Sequence, residues 1–202
     1  MRSLFIDTSS FFMSIAIIES NKVTYSKNQE YKTGMAENIV PEIEKAFNNV
    51  NFKVNEIDKI FVVSGPGSFT GIRVGVCAAK IIAWAVGCDV IILSSLEFLA
   101  TTKVDSKYII PMIDARRGNV FTAVYDSNLN SIEKDQLINK DEFLSNKKEY
   151  EIVSYDFDYI KPNPDILKIV LKHMSDEGEN VHALKPNYLK LTEAEENNGK
   201  RS

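Results

Sequence analysis

The sequence predicts an α/β fold, on three observations. β-forming runs open the chain, the apolar spacing becomes helical at Met35, and strand-length and helix-length apolar runs then alternate as far as Ala100. The opening runs cover residues 3–7, 12–18 and 22–31, and the polar breaks between them are short enough for hairpins, so an antiparallel meander is expected. Met35, Ile39, Ile43, Ala46, Phe47 and Val50 then recur every three or four residues, which is one face of a helix, with a kink expected at Pro41. Residues 57–63 read as a strand, 72–86 as a helix and 90–93 as a short buried strand; Ser94, Ser95 and Glu97 start a further helix through Leu96 and Leu99. Past Lys103, strands are expected at 108–113, 120–125, around Ile132 and at 150–155, with a helix opened by Pro164 and running to Met174. Residues 178–202 are polar and read as an extended tail with a frayed NNGKRS end. The expected division is an N-terminal lobe over 1–102 and a smaller C-terminal α/β lobe over 103–202 that carries the polar tail.

At 202 residues and 44% hydrophobic content the chain can bury one large core or two modest ones. A formal net charge of -4 argues against a whole-molecule electrostatic grip on nucleic acid, because such a grip needs a basic face. Cys77 and Cys88 lie in or beside an apolar stretch, where free thiols behave as small hydrophobes in a reducing compartment, and no disulfide framework is implied. The first apolar run is cut short by Asp7, so no leader or membrane segment is read there and the expected location is cytoplasmic.

GPGSFTGIRVG at 65–75 follows a strand and starts a helix, a geometry that can hold an anion on backbone N–H groups. It has neither the lysine nor the spacing of a P-loop, it misses the dinucleotide pattern, and Pro66 removes a donor. The reading favoured here is structural: Gly65 and Gly67 supply unusual backbone angles, Thr70 caps the helix, and Gly71 and Gly75 allow close packing. Between Val74 and Gly87 the helix carries one charge, Lys80, so both of its faces need cover. At about 14 residues it is too short for a bilayer. Gly71, Gly75, Ala79, Ala83 and Gly87 form a row of small residues that admits a second helix, either that at 35–50 or one from another subunit.

Asp7-Thr8 after the first strand, SGPGSFTGIRVG at 64–75, the small-residue helix, IDARRGNVF at 113–121 and PNYLKLTEAEE at 186–196 together resemble the TsaB (YeaZ) family over almost the whole chain. The resemblance implies an actin-like ATPase (ASKHA, ribonuclease H-like) fold, two lobes with mixed β-sheets flanked by helices. It also implies a non-catalytic subunit for tRNA N6-threonylcarbamoyladenosine (t6A) modification. Such a subunit binds and activates a TsaD-type catalytic subunit together with a TsaE-type ATPase, or forms a homodimer when alone, with tRNA as the substrate of the complex. The implied partner interface is Met35, Ile39 and Ile43 on one helix and Gly71, Gly75, Ala79 and Ala83 on the other, where a charge at Ala79 or Ala83 would disrupt association. Met35 departs from the family pattern, which usually has histidine there, so no role of that histidine transfers.

Enzyme readings find little support in the residues. His173 and His182 are nine apart, not at the i, i+4 spacing of a helical metal pair, and each reads as a satisfied or solvent-facing side chain. No base can be nominated for Ser64, Ser68 or Thr70. Asp7 stands where actin-like kinases hold magnesium and ATP, but Thr8, Ser9, Ser10 and Phe11 follow instead of a glycine turn, so a turn-capping role is favoured. Asp114, Arg116 and Arg117 read as a solvated hairpin tip rather than a phosphate clamp. No metal or cofactor is expected. The alternative function is an ATP-dependent phosphotransferase of the same fold.

Overall fold

A computed structural model describes residues 1–189 and builds them around two mixed β-sheets. The first has the order β3-β2-β1-β4-β5, with β1 (Arg2–Asp7), β2 (Phe12–Glu19), β3 (Lys22–Glu30), β4 (Lys59–Val63) and β5 (Asp89–Leu93). Tight turns join β1, β2 and β3, which therefore run antiparallel; Ser20 and Asn21 both take positive φ, as a twisted two-residue hairpin requires. β4 and β5 are reached through α1 (Met35–Asn48) and α2 (Phe69–Val86), and such helical crossovers return each strand parallel to the one before.

The second sheet repeats this plan. β6 (Tyr108–Asp114), β7 (Asn119–Asp126) and β8 (Ser131–Asn139) form an antiparallel meander, α4 (Lys140–Leu144) follows, and β9 (Tyr150–Val153) pairs parallel with β6 in the order β8-β7-β6-β9. The expected α/β class with two mixed sheets is thus the observed one. Every strand and long helix read from the sequence is present; α4 and a single 3-10 turn at Val54–Glu56 were not expected. α5 (Ile166–Lys172) begins after Pro164, not on it, because Asp165 caps its N-terminus by accepting from the Lys168 N–H at 3.0 Å. Residues 190–196 of the PNYLKLTEAEE segment, and the NNGKRS end, lie outside the described residues.

Each face of the first sheet is covered. Leu4, Ile6, Ile15, Ile60 and Val62 meet α1 and α2, while Phe5, Phe61 and Ile91 meet Phe98 of α3 (Ser95–Leu99) and Ile169 and Val170 of α5. The two sheets share α3. Phe98 stacks at 5.0 Å on Phe5, whereas Leu96 joins Ile109, Phe121 and Tyr125 of the second sheet. A polar clamp locks α5 onto α3: Glu97, buried to 8% exposure, accepts from Lys172 Nζ at 2.6 Å and pairs with His173 Nε2 at 3.0 Å, while His173 Nδ1 lies 2.7 Å from Asp176. The chain then runs back over the first sheet, where the Glu179 N–H donates to the Val90 carbonyl, Leu184 enters the core and the Asn187 N–H donates to the Ser64 carbonyl.

Burial alone would raise the pKa of Glu97, but the bonds from His173 and Lys172 outweigh it and hold the carboxyl below its ordinary range. Hydrogen bonding to Glu97 raises His173 against the opposing effect of burial. The histidine's contribution to stability is therefore complete below its unfolded pKa of 6.5 and is lost as pH rises through the elevated folded value. That of Glu97 is present above 4.5 and lost as pH falls. Glu97→Gln is expected to cost about 1–3 kcal/mol at pH 6 and to shrink the fall in stability between pH 6 and 8. Urea unfolding at the two pH values reads both effects.

Candidate functional site

The glycine-rich turn lies where the β1–β2 turn meets the N-terminus of α2, and part of its backbone is engaged within the chain. The Ser68 N–H donates to the Ser9 carbonyl at 2.7 Å, the Ser68 hydroxyl accepts from the Gly71 N–H at 3.2 Å, and the Ser95 N–H donates to the Gly65 carbonyl at 3.0 Å. Ser68, not Thr70, is the N-cap. A Cβ on Gly71 would strike the Thr8 carbonyl oxygen, one on Gly67 the Ser9 carbonyl, and one on Gly75 the Thr8 hydroxyl, which itself donates to the Gly71 carbonyl at 2.7 Å. The small residues at the start of α2 thus admit the β1–β2 turn rather than a second helix.

Beside this junction a cavity of about 1090 Å³ opens between the two sheets, with Asp7, Phe11, Phe98, Asp114 and Tyr155 among its walls. Asp7 is 6% exposed, and its Oδ1 accepts from the Ser9 N–H at 2.8 Å, the turn-capping role expected of it. Burial pushes its carboxyl up to about 6, against the smaller opposing effect of Ser9. Tyr155 closes one side through ring contacts with Phe12 at 5.0 Å and Phe11 at 5.6 Å. On the hairpin tip Asp114 accepts from the Arg116 N–H at 2.8 Å, and Arg116 and Arg117 both take positive φ. Neither histidine is placed in this cavity: His173 belongs to the clamp on α3, and His182 is exposed.

α2 is 18 residues long, with a mean hydropathy of 1.5, because it starts at Phe69 rather than Ile72. It meets the length and composition of a membrane span, contrary to the shorter helix expected, but its two sides differ. Gly71, Ile72, Gly75, Val76, Ala79 and Ala83 face the core, and Cys77, Ile81, Trp84 and Ala85 face outward. Trp84 is 70% exposed and Ile81 60%. At the helix start, the Arg73 guanidinium lies 3.8 Å over the Phe69 ring and donates to the Tyr188 hydroxyl at 2.7 Å. Of the residues expected at a partner interface, Ile39, Ile43, Gly71, Gly75, Ala79 and Ala83 are buried against their own chain, and Met35 is half-buried on the same core. They set how closely α1 and α2 sit on the sheet. Their outward neighbours Val40, at 66% exposure, Ile81 and Trp84 stand in water; of these, Val40 and Trp84 are not singled out by the sequence.

The family model for TsaD, tRNA N6-adenosine threonylcarbamoyltransferase, matches residues 29–185. The chain is 29% identical to the tRNA threonylcarbamoyladenosine biosynthesis protein TsaB of Bacillus subtilis, over 96% of each chain. It is 30% identical to the protein of that name from Haemophilus influenzae, over 58% of this chain and 51% of the relative. Among solved structures, YeaZ from Pseudomonas aeruginosa superposes with a TM-score of 0.79 at 18% identity, over 93% of this chain and 99% of the other. A second structure, of a Pseudomonas aeruginosa protein described as similar to peptidase YEAZ, gives 0.81 at 18% identity, over 94% and 99%. At that identity the likeness is one of fold.

Two outcomes test the junction. Gly71→Ala is expected to destabilise the chain by about 3 kcal/mol or more, because the obstructing atom is backbone that cannot rotate away. Denaturant unfolding measures this, and a loss below about 1 kcal/mol would mean that the β1–β2 turn yields. Asp7 carries the opposite sign. Its folded pKa is raised above the unfolded 3.8, so its carboxyl destabilises the fold increasingly as pH climbs from 3.8 through about 6. Asp7→Asn, whose amide oxygen can still accept from Ser9, is expected to unfold at higher denaturant than the parent at pH 7.5 and at nearly equal denaturant at pH 4.

Proposed function

The chain belongs to the TsaB (YeaZ) family, within the broader family that the tRNA N6-adenosine threonylcarbamoyltransferase model describes, and we propose that it serves t6A biosynthesis as a non-catalytic subunit. In this reading it works in the cytoplasm, binds and activates a TsaD-type catalytic subunit, and acts beside a TsaE-type ATPase; tRNA is the substrate of the assembled complex. The observation that carries the reading is the outward face of α2. Cys77, Ile81, Trp84 and Ala85 lie at helical spacing and leave a tryptophan and an isoleucine largely in water, next to a helix whose other side is firmly seated in the core. An aromatic anchor on a rigid apolar helix is the kind of feature that dominates binding energy at protein interfaces. The same face would close a homodimer when the catalytic subunit is absent, since an isologous contact needs only one self-complementary patch.

Support for a non-catalytic role comes from how the polar groups are used. The backbone groups of the glycine turn are bonded to Ser9, Ser68 and Ser95, Asp7 caps its own turn, and His173 is held between Glu97 and Asp176. None of these is arranged as a nucleophile with an adjacent base.

Trp84→Ala is expected to weaken association with the TsaD-type subunit by about 30-fold or more while leaving the circular dichroism unchanged. Ala83→Glu, in contrast, buries a charge at a position 1% exposed and should unfold the chain before any interface is assayed. A folded Trp84→Ala chain that binds with parental affinity would remove the α2 face from the interface.

A further inference from the structure

The carboxylate of Asp7 is buried beside a large cavity, and among the described residues no cation acts on it. Burial and the bonds from Ser9 are what act on its acidity, and no described cation is among them. A buried carboxylate held only by neutral donors weakens the fold at neutral pH, and positions that keep such a group are good candidates for binding. At pH 7 a group with a pKa of about 6 is mostly ionised, so the cleft presents a negative charge from a low-dielectric wall.

The surroundings narrow what could answer that charge. Among the described residues lining the cavity, the acids Asp7, Glu37, Asp114 and Asp156 outnumber Lys32 and Arg116, a balance that disfavours a phosphate-rich anion. The adjoining glycine turn has its Ser68 and Gly71 N–H groups bonded within the chain. Among the described residues no group of three acidic, histidine or cysteine side chains is placed to hold a metal ion, and one carboxylate does not make a metal cage. What stands near the carboxylate is aromatic. Phe11 and Tyr155 line the cavity with rings 5.6 Å apart, and the Tyr155 phenol, raised to about 12 chiefly by burial, also feels the charge of Asp7. Phe98 and Leu99 add apolar wall. An aromatic surface beside a buried carboxylate suits a cation carried on an apolar body.

We propose that the cleft between the two sheets binds a small organic cation, an ammonium or guanidinium group on an apolar body, with the charge at Asp7 and the body against Phe11 and Tyr155. This is independent of the role proposed for the outward α2 face and adds a ligand site at the N-terminal ends of α1 and α2.

The test uses the full chain and three probes, phenethylamine, its anionic counterpart 3-phenylpropionate and magnesium-ATP, titrated by calorimetry at pH 7.5. Phenethylamine is expected to bind at least about tenfold more tightly than 3-phenylpropionate, with Asp7→Asn lowering its affinity about tenfold and Tyr155→Leu about threefold. Association with the TsaD-type subunit should be unaffected by either change. Equal binding of the two aromatic probes, no amine binding up to about 10 mM, or binding of magnesium-ATP in preference to the amine would each overturn the proposal. Should Asp7→Asn fail to fold, the charge selectivity of the parent chain and the Tyr155→Leu loss decide the matter.

Discussion

The contact on which the rest of the first lobe depends is the seating of the β1–β2 turn on the backbone of α2. Thr8 sits over Gly71 and Gly75 and bonds to the Gly71 carbonyl, which brings the end of the central strand directly against the first turns of a helix. That closeness fixes which side of α2 faces the sheet. Once the small residues face inward, Cys77, Ile81 and Trp84 have nowhere to point but out. The same contact places Asp7 and Ser9 at the edge of the cleft and engages the Ser68 N–H on the Ser9 carbonyl. One steric requirement therefore sets the shape of the cavity and the chemistry of the exposed helix face together.

The second organising element is α3, a five-residue helix that serves two cores. Phe98 belongs to the first sheet and Leu96 to the second, so neither lobe packs fully without it. Glu97, on the remaining side, draws in α5 through Lys172 and His173. A buried acid would normally be a weakness, but Lys172 and His173 both bond to it at one end of a helix capped by Ser94, which makes it a fixed point.

Much of this was legible in the chain before any coordinates. The meander, the two long helices and the strands of the second sheet follow from apolar spacing and turn residues, because α1 shows an apolar face at helical period and the other elements are apolar runs ended by polar breaks. α4 escaped notice because five residues with Phe143 as their one buried side chain carry no helical period. Its brevity also hides the repeated plan of the two sheets, since α1 in the corresponding place is 14 residues long. At the candidate site, the turn cap at Asp7 is legible in the Thr8 and Ser9 that follow it. Which side of α2 faces outward is not legible in the apolar spacing of the sequence, for a physical reason: in a helix apolar nearly all round, hydrophobicity does not mark the inner side. Side-chain size does, for a helix pressed onto a strand end turns Gly71, Gly75, Ala79 and Ala83 inward and Trp84 outward.

The return of the chain to the first sheet bears on the order in which the molecule can be completed. Ile169 and Val170 fill one face of that sheet, Glu179 pairs with β5, Leu184 enters the opposite core and Asn187 bonds to the end of β4. A chain emerging from the ribosome therefore makes the five strands of its first sheet early, with α1 and α2 to cover one face, yet lacks α5 over the other face and the closing segment through Leu184 until nearly everything else has been synthesised. The half that is translated first is the half that finishes last, and in the interval its apolar strands are in the care of whatever chaperones meet the nascent chain.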